Sequence, residues 1–117
     1  MSLLIILDRN SYDGSDVAWN ALRLAQKAAS SGFQVRMFLI NDGVDLGREG
    51  VKPPEGFFDL GEMLKETMRM GVEVKACRTC LHRCGVHKGK PYMENVKTAT
   101  MGELVEWIKT SAKIVTF

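Results

Sequence analysis

All three cysteines and both histidines of the chain fall within one stretch, Val74 to Lys88. Cys77, Cys80 and Cys84 are interleaved there with Arg78, Thr79, Leu81, His82 and Arg83, and Gly85-Val86-His87 follow. A thiol attacks as its thiolate. At the ordinary cysteine pKa of about 8.5 only a few per cent is ionised at neutral pH, and lowering that value to about 7 takes about 2 kcal/mol of electrostatic preference. The residues around Cys77 supply the means. Lys75, Arg78, His82 and Arg83 bring positive charge, and no acidic residue lies between Glu73 and Glu94. The run from Arg78 to Cys84 contains no glycine or proline. It can form a helical turn whose free amides and positive dipole end face a preceding thiol. The segment favours a sulfur anion. Cys77 is the candidate catalytic residue, Cys80 and Cys84 are supporting thiols, and Arg78, His82 and Arg83 are candidate anion-stabilising groups.

Four readings fit these letters. Cys77 can accept sulfane sulfur as a persulfide and pass it on, a reaction that needs no cofactor. Cys77 and Cys80 have the C-x-x-C spacing of a redox pair, although a thioredoxin-type fold would also need an antiparallel hairpin and a cis proline, for which the sequence shows no sign. Cys77, Cys80, Cys84 and His87 include enough ligands for zinc or another soft metal, and on a helix the three cysteines share one face. Structural zinc sites, however, commonly draw on two separated knuckles, and here one short stretch supplies everything. The fourth reading is packing alone, since free cysteine behaves as a small buried hydrophobe. Three thiols within eight residues, set among basic side chains, are harder to assign to packing than a single one.

The elements that must hold this segment are legible on either side of it. Leu3 to Leu7 is a continuous apolar run, the pattern of a strand covered on both faces. A polar loop, Asp8 to Asp16, follows, with Asp13 or Ser15 as candidate helix caps. Val17, Ala18, Ala21, Leu22, Ala25, Ala28 and Ala29 recur at the helical period, and Gly32 stops the helix. Phe33 to Ile40 reads as a second strand, closed by the turn signal Asn41-Asp42-Gly43. Asp45 to Gly56 has no period and reads as the one long loop. Phe57, Leu60, Met63, Leu64, Thr67 and Met68 mark a second helix, ended by Gly71, and Val72-Glu73-Val74 then leads into Cys77. Asn95 to Ala99 reads as a short fourth strand. Thr100 and Glu103 form a capping-box pattern before a helix with Leu104, Val105, Ile108 and Ala112 inside, and Ile114 to Phe117 closes the chain as a last strand.

Strands alternating with helices predict one α/β domain over residues 1–117. Its fold is a doubly wound, flavodoxin-like parallel sheet of four to five strands with helices on both faces. In the common order 2-1-3-4-5 the first and third strands would be neighbours. Cys77 and the Asp8–Asp16 loop would then share the crevice at the switch point. Tyr12, Asn10 and Ser15 are candidate crevice residues on that basis, with Asp42 and Gly43 at the rim. The methionines at 63, 68, 70 and 101 suit core filling or a subunit contact, Trp19 and Trp107 an oligomer interface, and Lys88, Lys90 and Lys97 a basic docking rim.

Composition narrows the function classes. A net charge of +2 gives no reason to expect direct nucleic-acid binding. The longest apolar run falls far short of the ~20 residues a membrane span needs. Asp8 and Arg9 cut that run off and no basic leader precedes it, so a signal peptide is not expected and the cytoplasm is the expected location. Clustered cysteines in a reducing compartment are more often reactive or metal-binding than disulfide-forming.

Taken together, these pieces resemble the DsrE/DsrF-like family, which includes the TusD-type sulfur-relay proteins. The likeness runs through Leu3 to Leu7 with the Tyr12-Asp13-Gly14 loop and the alanine-rich helix, then Gly32 to Phe38 with Asp42-Gly43-Val44. It continues through Gly71 to Cys77 with Gly85-Val86, and Gly102-Glu103-Leu104 running on to Phe117. The resemblance implies that Cys77 carries sulfur. It implies protein partners that donate and accept persulfide sulfur, in tRNA thiolation or in sulfur oxidation and reduction. It also implies a homo-oligomer, trimer or hexamer, or a hetero-oligomer with related subunits. Cys80, Cys84 and the long 45–56 loop depart from the TusD-type pattern.

Overall fold

The computed structural model describes residues 1–84 and 91–117, with Cys84 described by its backbone alone. Five parallel strands form one sheet: β1 (Ser2–Leu7), β2 (Gln34–Leu39), β3 (Glu73–Cys77), β4 (Lys97–Ala99) and β5 (Lys113–Thr116). Among the described residues four α-helices connect them: α1 (Val17–Ser30), α2 (Leu60–Arg69), α3 (Arg78–Cys84) and α4 (Met101–Thr110). A 3-10 helix, Asn41–Gly47, follows β2 directly.

The sheet order is β4-β3-β2-β1-β5. The α/β class is as predicted, but the order is not 2-1-3-4-5: β2 lies between β1 and β3, pairing Leu7 with Leu39 on one side and Leu39 with Ala76 on the other. Right-handed crossovers running from β1 to β3 in one direction put α1 and α2 on one face, where Gln26 Nε2 donates to Thr67 Oγ1 at 3.0 Å. The return from β4 to β5 runs the other way and puts α4 on the opposite face. Trp107 of α4 packs there edge-on to Phe38 at 6.2 Å, beneath the Arg36 guanidinium and the Lys75 ammonium. Alternation along β2 sends Val35, Met37 and Leu39 to the first face and Arg36 and Phe38 to the second.

Local chemistry explains the element ends. Thr100 and Glu103 form the expected capping box, and the Thr100 amide donates to the Glu103 carboxylate at 2.7 Å. That bond, with Lys75 nearby, holds the Glu103 carboxyl below the usual carboxylate range. The second helix starts later than its apolar pattern suggested, because Asp59 caps it by accepting from the Glu62 amide at 3.1 Å. Phe57 is therefore outside the helix and exposed. The first helix begins after Asp16, whose side chain makes no cap bond. Ser15 Oγ accepts from the Val17 amide at 3.3 Å, and Asp13 accepts from the Ser15 amide at 2.9 Å instead of capping the helix itself.

In α4 the buried side chains are Leu104 and Trp107, while Val105 and Ile108 face outward, contrary to the sequence pattern. Trp107 is thus core, not surface. The 45–56 segment is tied down more than its composition suggested. Asp45 to Gly47 belong to the 3-10 helix, and Arg48 bridges Tyr92 in antiparallel fashion. The Glu49 amide donates to the Pro91 carbonyl at 2.9 Å, the Met93 amide to the Gly47 carbonyl at 2.8 Å, and the Tyr92 hydroxyl to the Val44 carbonyl at 2.7 Å.

Candidate functional site

Cys77 ends β3, where the sequence placed it, and Arg78 begins α3 at once. Its accessibility differs from expectation: only 3% of its surface is exposed. β3 is an interior strand. Cys77 pairs with Ala99 of β4, and Ala76 beside it pairs with Leu39 of β2, so neighbours close both flanks. Buried Leu81 of α3 belongs to the same apolar core. Of the two cysteines whose side chains are described, the one that reaches the surface is Cys80, one turn into α3 and half-buried. The two cysteines are not joined in a disulfide.

Cys80 lines a cleft of about 400 Å³ together with Asn41, Asp42, Thr79 and Arg83. The main-chain N–H of Asn41 donates to Cys80 Sγ, with N···S 3.2 Å. Asn41 takes a left-handed conformation, φ 54°, which asparagine tolerates better than most residues. The next residues fix it in place. The Ile40 amide donates to the Leu7 carbonyl at 3.0 Å, and the Gly43 amide to the Ile40 carbonyl at 2.9 Å. Gly43 is packed so closely on β1 that a Cβ there would overlap the Leu7 carbonyl oxygen and lie 2.9 Å from its carbon.

Of the candidate basic groups, Arg83 is in the cleft, whereas Arg78 and His82 are exposed and do not line it. The side chain of Cys84, and His87, Lys88 and Lys90, lie outside the described residues. Among the described residues no three of His, Cys, Asp and Glu are grouped to hold a metal ion. The buried Asp45 belongs to the same 3-10 helix as Asn41. Burial pushes its carboxyl above the ordinary value, against the pull of Arg48, whose guanidinium is 3.7 Å away.

Tyr12, Asn10 and Ser15 are not brought to the thiols, because β2 separates the ends of β1 and β3. Tyr12 pins the chain entering α2: its hydroxyl donates to the Phe58 carbonyl at 2.8 Å and accepts from the Leu60 amide at 2.9 Å. Asn10 Oδ1 accepts from the Tyr12 amide at 3.1 Å. Tyr12 and Ser15 line a separate cavity of about 360 Å³ with Trp19, Phe57 and Phe58. At its wall Trp19 stacks on Phe58, 4.9 Å between centroids and 7° between planes, with the Arg23 guanidinium over the Trp19 ring as well. Sequence reasoning missed Asn41 and Thr79 as site residues. The Asn41-Asp42-Gly43 turn was the signal available for the first, and it reads as turn chemistry until β2 and α3 are seen side by side.

The DsrE/DsrF-like family model matches residues 1–117. The chain belongs to the DsrE/DsrF-like family. The YchN protein of Escherichia coli K12 is 33% identical over 119 residues, covering all of both chains. An uncharacterized protein of Methanopyrus kandleri is 37% identical over 115 residues, 98% of this chain and 93% of its own. The crystal structure of the E. coli YchN protein superposes with a TM-score of 0.84 at 32% identity, over the whole of each chain. The MTH1491 structure from Methanobacterium thermoautotrophicum shares the fold, with a TM-score of 0.77 at 14% identity over 99% of this chain and 98% of its own. No helix among the described residues is long and apolar enough to cross a membrane.

Proposed function

We propose that this DsrE/DsrF-like protein is a cytoplasmic carrier of sulfane sulfur. Cys80 meets the donor and Cys77 stands behind it as the second thiol. The observation that carries this reading is the placement of Cys80: half-buried, in a cleft at the carboxyl end of the sheet, its Sγ facing the Asn41 amide. Family membership supports sulfur-relay chemistry, and the burial of Cys77 supports Cys80, three residues along the chain, as the point of first contact. The thiolate of Cys80 attacks the outer sulfur of a donor persulfide. A new S–S bond forms at Cys80, the donor's S–S bond breaks, and its electron pair leaves on the donor thiolate. An acceptor cysteine then attacks the same outer sulfur and returns the pair to Cys80 Sγ, with no net oxidation of the protein. Rates follow the nucleophile and leaving-group thiols.

Mass spectrometry after incubation with a persulfide donor tests this. The expected result is +32 Da on the Cys80 side chain, the mass of one added sulfur atom, retained in Cys77→Ser and lost in Cys80→Ser. The adduct on Cys77 in both wild type and Cys80→Ser would reassign the carrier. A Cys77–Cys80 disulfide with no +32 Da species would replace the reading with dithiol redox chemistry.

The carrier acts as a homo-oligomer in this proposal, with donor and acceptor proteins as transient partners. What supports it is a stripe on α4. Met101, Val105 and Ile108, at i, i+4 and i+7, are 55%, 44% and 39% exposed, and Ile114 of edge strand β5 is also exposed. Apolar side chains repeated along one outward helix face mark an interaction surface.

A further inference from the structure

We propose that the main-chain N–H of Asn41 is a positioning group for the sulfur of Cys80. The inference rests on the sulfane-sulfur reading, because it assigns the amide to the moments when Cys80 carries charge. A neutral thiol is a weak acceptor, whereas a thiolate takes a charge-assisted hydrogen bond of roughly twice the strength of a neutral one. In the transfer above, negative charge sits on Cys80 Sγ twice: before attack on the donor, and again when the acceptor displaces it. A donor fixed 3.2 Å from that atom stabilises both states without rearranging.

Three features hold the amide there. The chain passes from the extended backbone of Ile40 into the 3-10 helix through the left-handed backbone at residue 41. The Ile40 and Gly43 amide bonds lock the residues on either side. The contact of Gly43 with the Leu7 carbonyl sets the turn against the end of β1, so it cannot slide away from α3. Asn41 itself is exposed, so its residue type answers to the backbone conformation. Valine is β-branched and disfavours the left-handed region by about 1–2 kcal/mol, whereas glycine enters it freely.

The experiment compares Asn41→Val and Asn41→Gly with wild type. The readout is iodoacetamide uptake at neutral pH, resolved to Cys80 by peptide mass spectrometry. Asn41→Val should slow alkylation of Cys80 about tenfold, the equivalent of about 1.4 kcal/mol, which is at the low end for a hydrogen bond to a charged group. Asn41→Gly should restore it. General loosening of the fold would speed alkylation, so the direction separates positioning from damage. An unchanged rate in Asn41→Val, or equal slowing in Asn41→Gly, would overturn the assignment. As a second measurement on protein with its turn intact, the Asn41 amide proton resonance should move upfield in Cys80→Ala; an unmoved resonance would overturn it equally. Slowed alkylation alongside an absent +32 Da adduct in wild type would leave Asn41 in its role and remove only the sulfur-carrier reading.

Discussion

Gly43→Ala tests how the cleft is braced, and its cost can be worked from the structure. The added methyl overlaps the backbone carbonyl of Leu7, a group that β1 cannot move because the strand is paired on both sides. Relief must come from the 3-10 helix, which would lift from β1 and stretch the 3.0 Å bond from the Ile40 amide to the same carbonyl. Overpacking of this kind costs about 1–3 kcal/mol, and a buried backbone bond weakened beside it about 1–3 kcal/mol more. The sum, about 2–6 kcal/mol, is a large part of the ~5–15 kcal/mol that holds a domain together. At about 4 °C per kcal/mol for a chain of this size, the melting temperature should fall by about 8 °C or more. Gly102→Ala is the control: the nearest atom to its new Cβ is Thr100 Oγ1 at 3.7 Å, an ordinary contact, and helix propensity should make it neutral or stabilising by about 0.5 kcal/mol. Differential scanning calorimetry reads both. The same Gly43→Ala protein should alkylate more slowly at Cys80, since the turn that carries the Asn41 amide has shifted. A melting temperature within about 2 °C of wild type, a margin below the ~4 °C that one kcal/mol would produce, would refute the close packing of the turn on β1.

Two further outcomes follow from groups away from the thiols. Burial raises the folded-state carboxyl of Asp45 above its ordinary value, so the native state holds that proton more tightly than the unfolded chain does. Its contribution to stability is present below the unfolded value and is lost as pH rises through the raised one. Asp45→Asn should therefore match wild type near pH 3 and become the more stable protein as pH approaches 7; urea midpoints at the two pH values check this, and a difference independent of pH would contradict it. Val105→Glu places a charge at the centre of the α4 stripe and should convert the proposed oligomer to monomer in size-exclusion chromatography with light scattering, while wild type that is already monomeric at micromolar concentration would rule out the interface.

Much of the scaffold was legible because the signals were local. The apolar runs of β1 and β2, the positive-φ glycines at 32 and 71, and the Thr100–Glu103 capping box each act within a few residues. The placement of Cys77 at the end of β3 belongs to the same class. Strand order is a different kind of information. Nothing in the letters says whether β3 lies against β1 or β2, and that choice separated Tyr12, Asn10 and Ser15 from the cysteines. The burial of Cys77 likewise depends on β4 and on Leu81 packing into the same core. In α4 the helical period allowed two apolar faces, one with Leu104 and Trp107 and another with Met101, Val105 and Ile108. Only the shape of the sheet, with Phe38 offering an edge to Trp107, decides which turns inward.

The chain's two tryptophans sit on opposite faces of the sheet in unlike surroundings. Trp107 is sealed beneath α4, whereas Trp19 is half-buried and leans on Phe58, in the stretch leading into α2. They amount to two built-in fluorescent gauges. A red shift of the buried indole marks loss of the core, while a change confined to the other marks the Phe57–Phe58 segment lifting from α1. One emission spectrum, recorded during a titration, can therefore distinguish unfolding of the domain from movement at a single loop.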